Sequence, residues 1–302
     1  MHSLKNDALI RSLSAVCGNS LFEIAHIEHI EMAYIAPYLN SRIKSLTLHE
    51  QPSIRESSTL ALRRGAELRS AIGQFVRWKL AEPYYLSQFH KIFVFTKEEL
   101  GGLHMPELFK TEIVLLPAPA EVPQRKSLEK RYDMFFLGNY GHRPNLDALE
   151  FITGGMLPLF ASLPSPPTVA VAGNNAPGYL EELEKKYPFF KCLGYVEDAA
   201  SAISAARLFV APILSGGGVR MKNLSALASA TPVLTTERGG WGVLVGRGGV
   251  VIEKPTHKRF VNTAMKLLND PVALDKFAKE AEITALNQNK LFQEFNYYPN
   301  LR

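Results

Sequence analysis

The chain is poor in the residues that staple or metal-bridge a protein. Only two cysteines, Cys17 and Cys192, occur among its 302 residues, far apart and in chemically different settings. That excludes a disulfide framework and a cysteine metal site, and it fits a reducing cytoplasm. No apolar run approaches the roughly 18 residues of a membrane helix, and no signal peptide opens the chain. Contact with a membrane is therefore expected only from the side, at its inner face. Long basic runs are also missing. The net charge of +5 is spread out, and its longest clusters, RRG at 63–65 and KSLEKR at 126–131, are short. A solvated surface is the expected reading of both, and nucleic acid is not an expected partner. There is no internal repeat and no low-complexity tract. No G-x-G-x-x-G follows the first strand of either half, and FLGNYG at 136–141 brings only two of the glycines, which disfavours a dehydrogenase.

What is present is a regular alternation. The hydrophobic fraction of 46% is ordinary for a globular chain. Apolar strand patterns fall at 24–29, 45–50, 91–96 and 112–117. A second series falls at 132–138, 168–173, 190–195, 207–212, 232–236 and 249–253. Several are nearly unbroken apolar runs, as in strands covered on both faces. Segments of helical spacing lie between them, including a long one at about 53–82. The pattern predicts βαβ units and parallel sheets, an α/β protein. The proline-bearing, charged stretch 117–131 reads as a linker. The expected division is 1–120, 121–285 and a terminal crossover segment, 286–302.

The stretch APILSGGGVRMKNLSALASATPV, 211–233, has the strongest chemical content. A strand end is followed by Gly216, Gly217 and Gly218, then Arg220 and Lys222, then a helical pattern. Ligands in open parallel sheets sit beyond the carboxyl ends of the strands. Glycines let the backbone approach a ligand, and a helix start favours an anion. Two cations in a first helical turn are badly placed unless something negative binds there. A tight turn with two solvent-facing bases is the bland alternative; the misplaced cations favour a diphosphate.

At these residues the sequence resembles GT-B-fold retaining glycosyltransferases of the glycosyl-transferase group 1 type. LGYVEDAASAISAARLFVAPILSGGGVRMKNLSALASATPVLTT is similar to that family's C-terminal signature, and FLGNYGHRPNLDALEFITGGMLPLF to the first strand, loop and helix of the same domain. HIEHIEMAYIAPYL, LTLHEQPS and KIFVFTKEEL are similar to later parts of the acceptor-side domain. The resemblance implies a complete C-terminal Rossmann-like domain and a truncated N-terminal one, because nothing before residue 20 supplies the family's opening strand and glycine loop. It implies transfer of a sugar from a nucleotide-sugar donor to a carbohydrate, lipid-linked or protein acceptor, with retention of configuration and without a metal or other cofactor. His49, Arg220 and Lys222 take the catalytic roles. Gly138, Asn139, Arg143, Gly173, Val196, Gly216, Gly217, Gly218 and Ser225 take the donor.

The departures are specific. Ser225 stands where the family's helix has the glutamate that holds the ribose, and Ala230 stands where it has a glycine. Pro144 replaces part of the usual phosphate pair. A non-catalytic relative, serving as an accessory or binding subunit, is the alternative these departures support. Other candidates divide between function and structure. His49 is expected either near the transferred sugar or as a satisfied strand-end residue. His26 and His29 are read as structural and not as a metal pair. Asp198 is read as a helix cap, and Trp241 as lining a site or filling a seam.

Overall fold

The computed structural model describes residues 6–103, 110–120, 129–244, 246 and 248–298. Most of the expected linker, 121–128, and the last residues of the terminal aromatic stretch lie outside these described residues. The chain divides into two compact units: Met1–Leu116 together with Gly216–Val219, and Pro117–Ser215 together with Arg220–Arg302.

The first unit runs α1 (Asp7–Cys17), β1 (Phe22–Glu28), a 3-10 segment Ile30–Tyr38, β2 (Ser41–Leu48), α2 (Pro52–Thr59), α3 (Gly65–Leu86), β3 (Lys91–Val94), α4 (Lys97–Gly102) and β4 (Glu112–Leu115). Its four strands are parallel and lie in chain order, β1-β2-β3-β4. Leu46, Leu48, Ile92 and Val94 are fully buried, and Tyr34, Leu86 and Phe89 pack with them. Alternate strand residues face opposite sides of a sheet; Thr47 and Phe93, on the faces opposite these residues, are buried too, so β2 and β3 are covered on both sides.

The second unit runs β5 (Tyr132–Leu137), α5 (Arg143–Phe151), a π-helical turn Ile152–Met156, α6 (Leu157–Ala161), β6 (Val169–Ala172), α7 (Tyr179–Lys186), β7 (Phe190–Cys192), α8 (Ala199–Ser204), β8 (Ala206–Ala211), α9 (Met221–Ala228), β9 (Val233–Thr235), β10 (Val250–Ile252), α10 (His257–Leu268) and α11 (Pro271–Gln293). Six parallel strands take the order β10-β9-β8-β5-β6-β7. Phe135, Phe136 and Phe209 form the centre of its core, with ring centroids 6.3 Å and 6.5 Å apart. After β5 the chain moves outward to β7, then returns to β8 on the other side of β5. The order reverses between β5 and β8, which is where a doubly wound sheet opens a ligand crevice.

All ten strands fall where the apolar runs predict, in two separate sheets. Two expectations need correction. The single helix expected at 53–82 is broken: α2 tightens into a 3-10 turn at Leu60–Leu62, and α3 begins anew at Gly65, whose φ is +54°. The RRG cluster makes that break: Arg63 is buried, while Arg64 is exposed, as expected, and donates to the carbonyls of Ala61 and Arg63. The segment expected to start at 286 begins inside α11, which continues to Gln293.

Candidate functional site

In the second unit, the crevice between β5 and β8 is floored by close backbone packing. A Cβ on Gly173, whose φ is +143°, would sit 1.7 Å from the Gly138 carbonyl oxygen. The Gly138 N–H donates to Ala172 and the Gly173 N–H to Gly194. Glycine at 173 thus lets the strand ends close on each other, while a Cβ on Gly138 would crowd the Asn145 side chain at 3.0 Å. Asn139 is spent on the loop itself: its side-chain oxygen accepts from Gly141 N–H and Asn175 Nδ2, at 3.0 Å and 2.9 Å. Val196 is half-buried in the irregular stretch after β7.

The charged groups form a set around the crevice. Arg143 opens α5 and pairs with Asp147 at 2.8 Å, and Asp147 in turn accepts from Ser215 Oγ at 3.0 Å. Arg220, the residue that caps α9, is buried and donates to the Ser215 carbonyl at 3.2 Å. Two residues on, the Lys222 ammonium donates to Asn145 Oδ1 and lies 4.7 Å from the centre of the Phe136 ring. Burial, and then the charge of Arg220, pull Lys222 down to about 7. Among the described residues no carboxylate pairs with it. An amine held by an amide oxygen and a ring face, beside a second cation, is a site for an anion. Ser225 is exposed. It lies one turn beyond Lys222 on α9.

In the first unit, the carboxyl ends of β1, β2 and β3 bring together a cluster of histidines and acids. His49 follows β2; its Nε2 bonds to Glu28 Oε2 at 2.6 Å, and its ring stacks on His29 with centroids 4.1 Å apart. His26 Nε2 meets the other Glu28 oxygen at 3.1 Å and Thr47 Oγ1 at 2.9 Å, while its Nδ1 meets Ser45 Oγ at 2.8 Å. Burial raises the Glu28 carboxyl, but the hydrogen bonds and charges of His49 and His26 outweigh it and leave it below its ordinary range. No three or more His, Cys, Asp or Glu side chains among the described residues are arranged to hold a metal.

The glycine loop groups with this unit. Gly217 N–H donates to Glu50 Oε1, Gly218 N–H to Glu99 Oε1 at 2.9 Å, and Gly216 N–H to Ser58 Oγ at 2.8 Å. A Cβ on Gly218 would fall 2.4 Å from the His49 carbonyl oxygen, so only glycine fits. The loop does offer its amides to anions, as its composition indicates, and in this structure those anions are two of the chain's own carboxylates. Glu99 is fully buried; it also accepts from Gln51 N–H and from the Thr96 hydroxyl, both at 3.0 Å. Burial pushes its carboxyl up to about 7, against those hydrogen bonds, and Glu50 adds repulsion.

Glu50, Glu99, Asn145 and Asp147 were not singled out from sequence. Asn145 and Asp147 sit in the quoted RPNLDA loop, and Glu50 directly follows His49, so adjacency to named residues was the available signal. Asp198 caps α8 as its spacing indicates, accepting from Ser201 N–H at 2.9 Å. Trp241 is half-buried under the Arg238 guanidinium, 4.3 Å from its ring centre.

Comparison with known proteins bears on the fold. Residues 131–270, somewhat under half of the chain, match the family described as glycosyl transferases group 1. No curated protein matches the chain in sequence. Among solved structures, sucrose-phosphate synthase from Thermosynechococcus elongatus superposes with a TM-score of 0.69 at 15% identity, covering 95% of this chain and 77% of its own. TarM from S. aureus, crystallised with fondaparinux, alpha-GlcNAc-glycerol and UDP, gives 0.67 at 10% identity, over 94% of this chain but only 57% of its own. The pneumococcal O-GlcNAc transferase GtfA, solved with UDP and GlcNAc, gives 0.62 at 10% identity over 95% and 57%. The chain therefore has the fold of the GT-B glycosyltransferases, and its residues 131–270 are similar to the group 1 glycosyl transferases. It spans little more than half the length of the last two.

Proposed function

We propose that this chain transfers a sugar from a nucleotide-sugar donor to an acceptor with retention of anomeric configuration. The observation that carries the reading is Lys222. It is a partly buried ammonium in the first turn of α9, held by Asn145, beside Arg220, at the point where the strand order of the second unit reverses. The neighbours support the substrate class, for TarM and GtfA were solved with UDP. A trehalose-6-phosphate synthase of TM-score 0.62 was studied for glycosyltransfer with retention.

In the reaction the bond between the anomeric carbon and the diphosphate oxygen breaks. The acceptor oxygen bonds to the same face, and its proton passes to the departing diphosphate. Charge grows on that diphosphate, and stabilising it is the main catalytic demand. Arg220 and Lys222 meet the demand, so no metal or other cofactor enters. His49 hydrogen-bonds the transferred sugar. Gly138, Asn139, Arg143, Gly173 and Val196 shape the nucleotide site, and Ser225 faces the ribose. A donor oxygen reaching Gly216, Gly217 or Gly218 must displace Ser58, Glu50 or Glu99, which lowers the net gain from those amides. The acceptor is a carbohydrate, a lipid-linked sugar or a protein, and contact with the inner face of a membrane belongs to the same reading.

A second reading, a non-catalytic relative that binds nucleotide without turnover, is favoured by Ser225 and by the occupied glycine amides. Calorimetric titration with a panel of nucleoside diphosphates tests the site, and release of free sugar or glycoside from the matching nucleotide sugar separates the two readings. Lys222→Glu is expected to weaken diphosphate binding by about 2 kcal/mol or more. Unchanged affinity in that variant overturns the assignment.

A further inference from the structure

The helix α3 is apolar on two sides. Ala71, Ala81, Tyr85 and Leu86 on its inner side are buried in the first unit. On its outer side Ile72, Val76, Leu80 and Tyr84 recur every fourth residue and remain 45%, 47%, 77% and 66% exposed. Residues four apart are neighbours one above the other on a helix, so this series makes a continuous row about 18 Å long. Isolated exposed apolar side chains are ordinary, but a helix resting on a core normally turns a polar face outward. A contiguous exposed row marks a docking surface.

Charge around the row selects what docks. At 100° per residue, Arg69 lies within its arc, and Arg77 and Lys79 lie along its two edges. All three are exposed. The acids of α3 are elsewhere. Glu82 is buried and accepts from Ser53 N–H and Ser53 Oγ, and Glu67 sits about 160° round from the middle of the row. A second copy of the chain would set these cations against their own equivalents. A surface of anionic lipid supplies what the face lacks: negative headgroups for the three cations, and an apolar layer for the row beneath them. Arg and Lys stems and the Tyr84 ring suit that boundary, with carbon inside and polar tips in water.

We infer that the outer face of α3 lays this protein on an anionic membrane surface, with Ile72, Val76, Leu80 and Tyr84 in the headgroup–acyl boundary and Arg69, Arg77 and Lys79 on the lipid phosphates. The inference deepens the membrane part of the proposed function and is independent of the donor site. A surface cation contributes about five-fold in partitioning to such a membrane. The test is flotation of the full chain, without nucleotide, on phosphatidylcholine vesicles with and without phosphatidylserine. Binding is expected only with phosphatidylserine. The triple variant Arg69→Ala, Arg77→Ala, Lys79→Ala should lose about a hundred-fold, and Val76→Ser with Leu80→Ser should lose at least ten-fold, both with unchanged melting temperature and nucleotide affinity. Lys222→Glu should float like the parent, so failure of the donor reading leaves this one standing. No binding to anionic vesicles overturns it, as does equal binding to neutral ones. So does a concentration-dependent dimer in sedimentation that Leu80→Ser disperses while vesicle binding persists.

Discussion

Beyond the carboxyl ends of its strands each unit holds an ionisable group strongly displaced by burial, and the two are displaced in opposite senses to the same value. In the first unit Glu99 is pushed up to about 7; in the second Lys222 is pulled down to about 7. Both shifts start from desolvation, but the surroundings differ. Glu99 is a guest already seated, accepting two backbone amides and a hydroxyl. Lys222 has an amide oxygen and a ring face, and no carboxylate. The first arrangement is internally satisfied and resembles a bound anion; the second is a host. That difference supports the proposal that the donor's charge falls on the second unit, even though the glycine run in the sequence is what advertises anion binding.

The largest expected effect breaks the first half of this comparison. A carboxyl whose folded value is raised binds more protons folded than unfolded. It therefore stabilises fully below its unfolded value, near 4.5, and that stability is lost as pH rises through about 7. Glu99→Gln keeps the shape and removes the titration. It should match the parent near pH 4.5 and exceed it at pH 8 by roughly 3 kcal/mol in chemical denaturation. Parallel stability curves for the two proteins across that range would mean that Glu99 is charged throughout and held like any surface acid.

The mirror-image group predicts a binding effect. Lys222 in the free protein is half neutral near pH 7, and a diphosphate beside it favours the ammonium, so binding takes up a proton above that pH. Nucleoside diphosphate affinity should fall as pH rises from 7 to 9, approaching ten-fold per unit. Calorimetry in buffers of different ionisation heat reads the proton directly. Lys222→Met should bind weakly at every pH with no proton uptake; a Met variant that keeps the slope would move the effect to another group.

A smaller change sharpens the host side. Ser225 is exposed and one turn beyond Lys222, so a glutamate there costs no burial. Its carboxylate accepts charge-assisted hydrogen bonds from the ribose, each worth about 1.5 to 3 kcal/mol before its desolvation is counted. Ser225→Glu should tighten nucleotide binding by about ten-fold with no change in melting temperature. Unaltered affinity in a stable variant would show that the ribose lies elsewhere.

How legible all this was depended on which force fixed each feature. The strands were readable because burial on both faces leaves nearly unbroken apolar runs, as in FFL at 135–137 and LFVA at 208–211. The break before α3 was hidden, since Gly65 looks tolerable in a helix until its φ is known. Glu99 was hidden more deeply. Thr96 and Glu99 have the spacing of a reciprocal helix cap, and Thr96 does accept from Glu99 N–H at 3.1 Å. The carboxylate, however, turns to Gln51 and Gly218, partners 48 and 119 residues away. Local sequence encodes the cap, but only tertiary packing reveals the buried acid.

The smallest prediction compares two strained backbones. Non-glycine residues at positive φ include His29 at 67° in the first unit and Asn175 at 57° and Ala230 at 50° in the second; His29 and Ala230 make the contrast. Their side chains are used differently. The His29 ring stacks on His49, so its strain positions something. Ala230 ends α9, where its N–H donates to Leu227 and the N–H of Thr231 donates to Ala226, at 3.0 Å and 2.9 Å. That is the hydrogen-bond pattern of a helix stop whose preferred residue is glycine. Its methyl makes no hydrogen bond, and left-handed backbone costs an L-residue about 1 kcal/mol or more. The glycine gains back its relaxed φ and loses some unfolded-chain entropy advantage, so the net gain is below that figure's upper range. Ala230→Gly should therefore raise stability by about 1 kcal/mol and leave nucleotide affinity alone. His29→Gly relieves a similar backbone but gives up the ring stacked on His49, so it should bring no comparable gain. Equal stabilisation by both substitutions would mean that the His29 ring contributes nothing, and the strain at the first unit's strand ends would then be incidental to its histidine cluster.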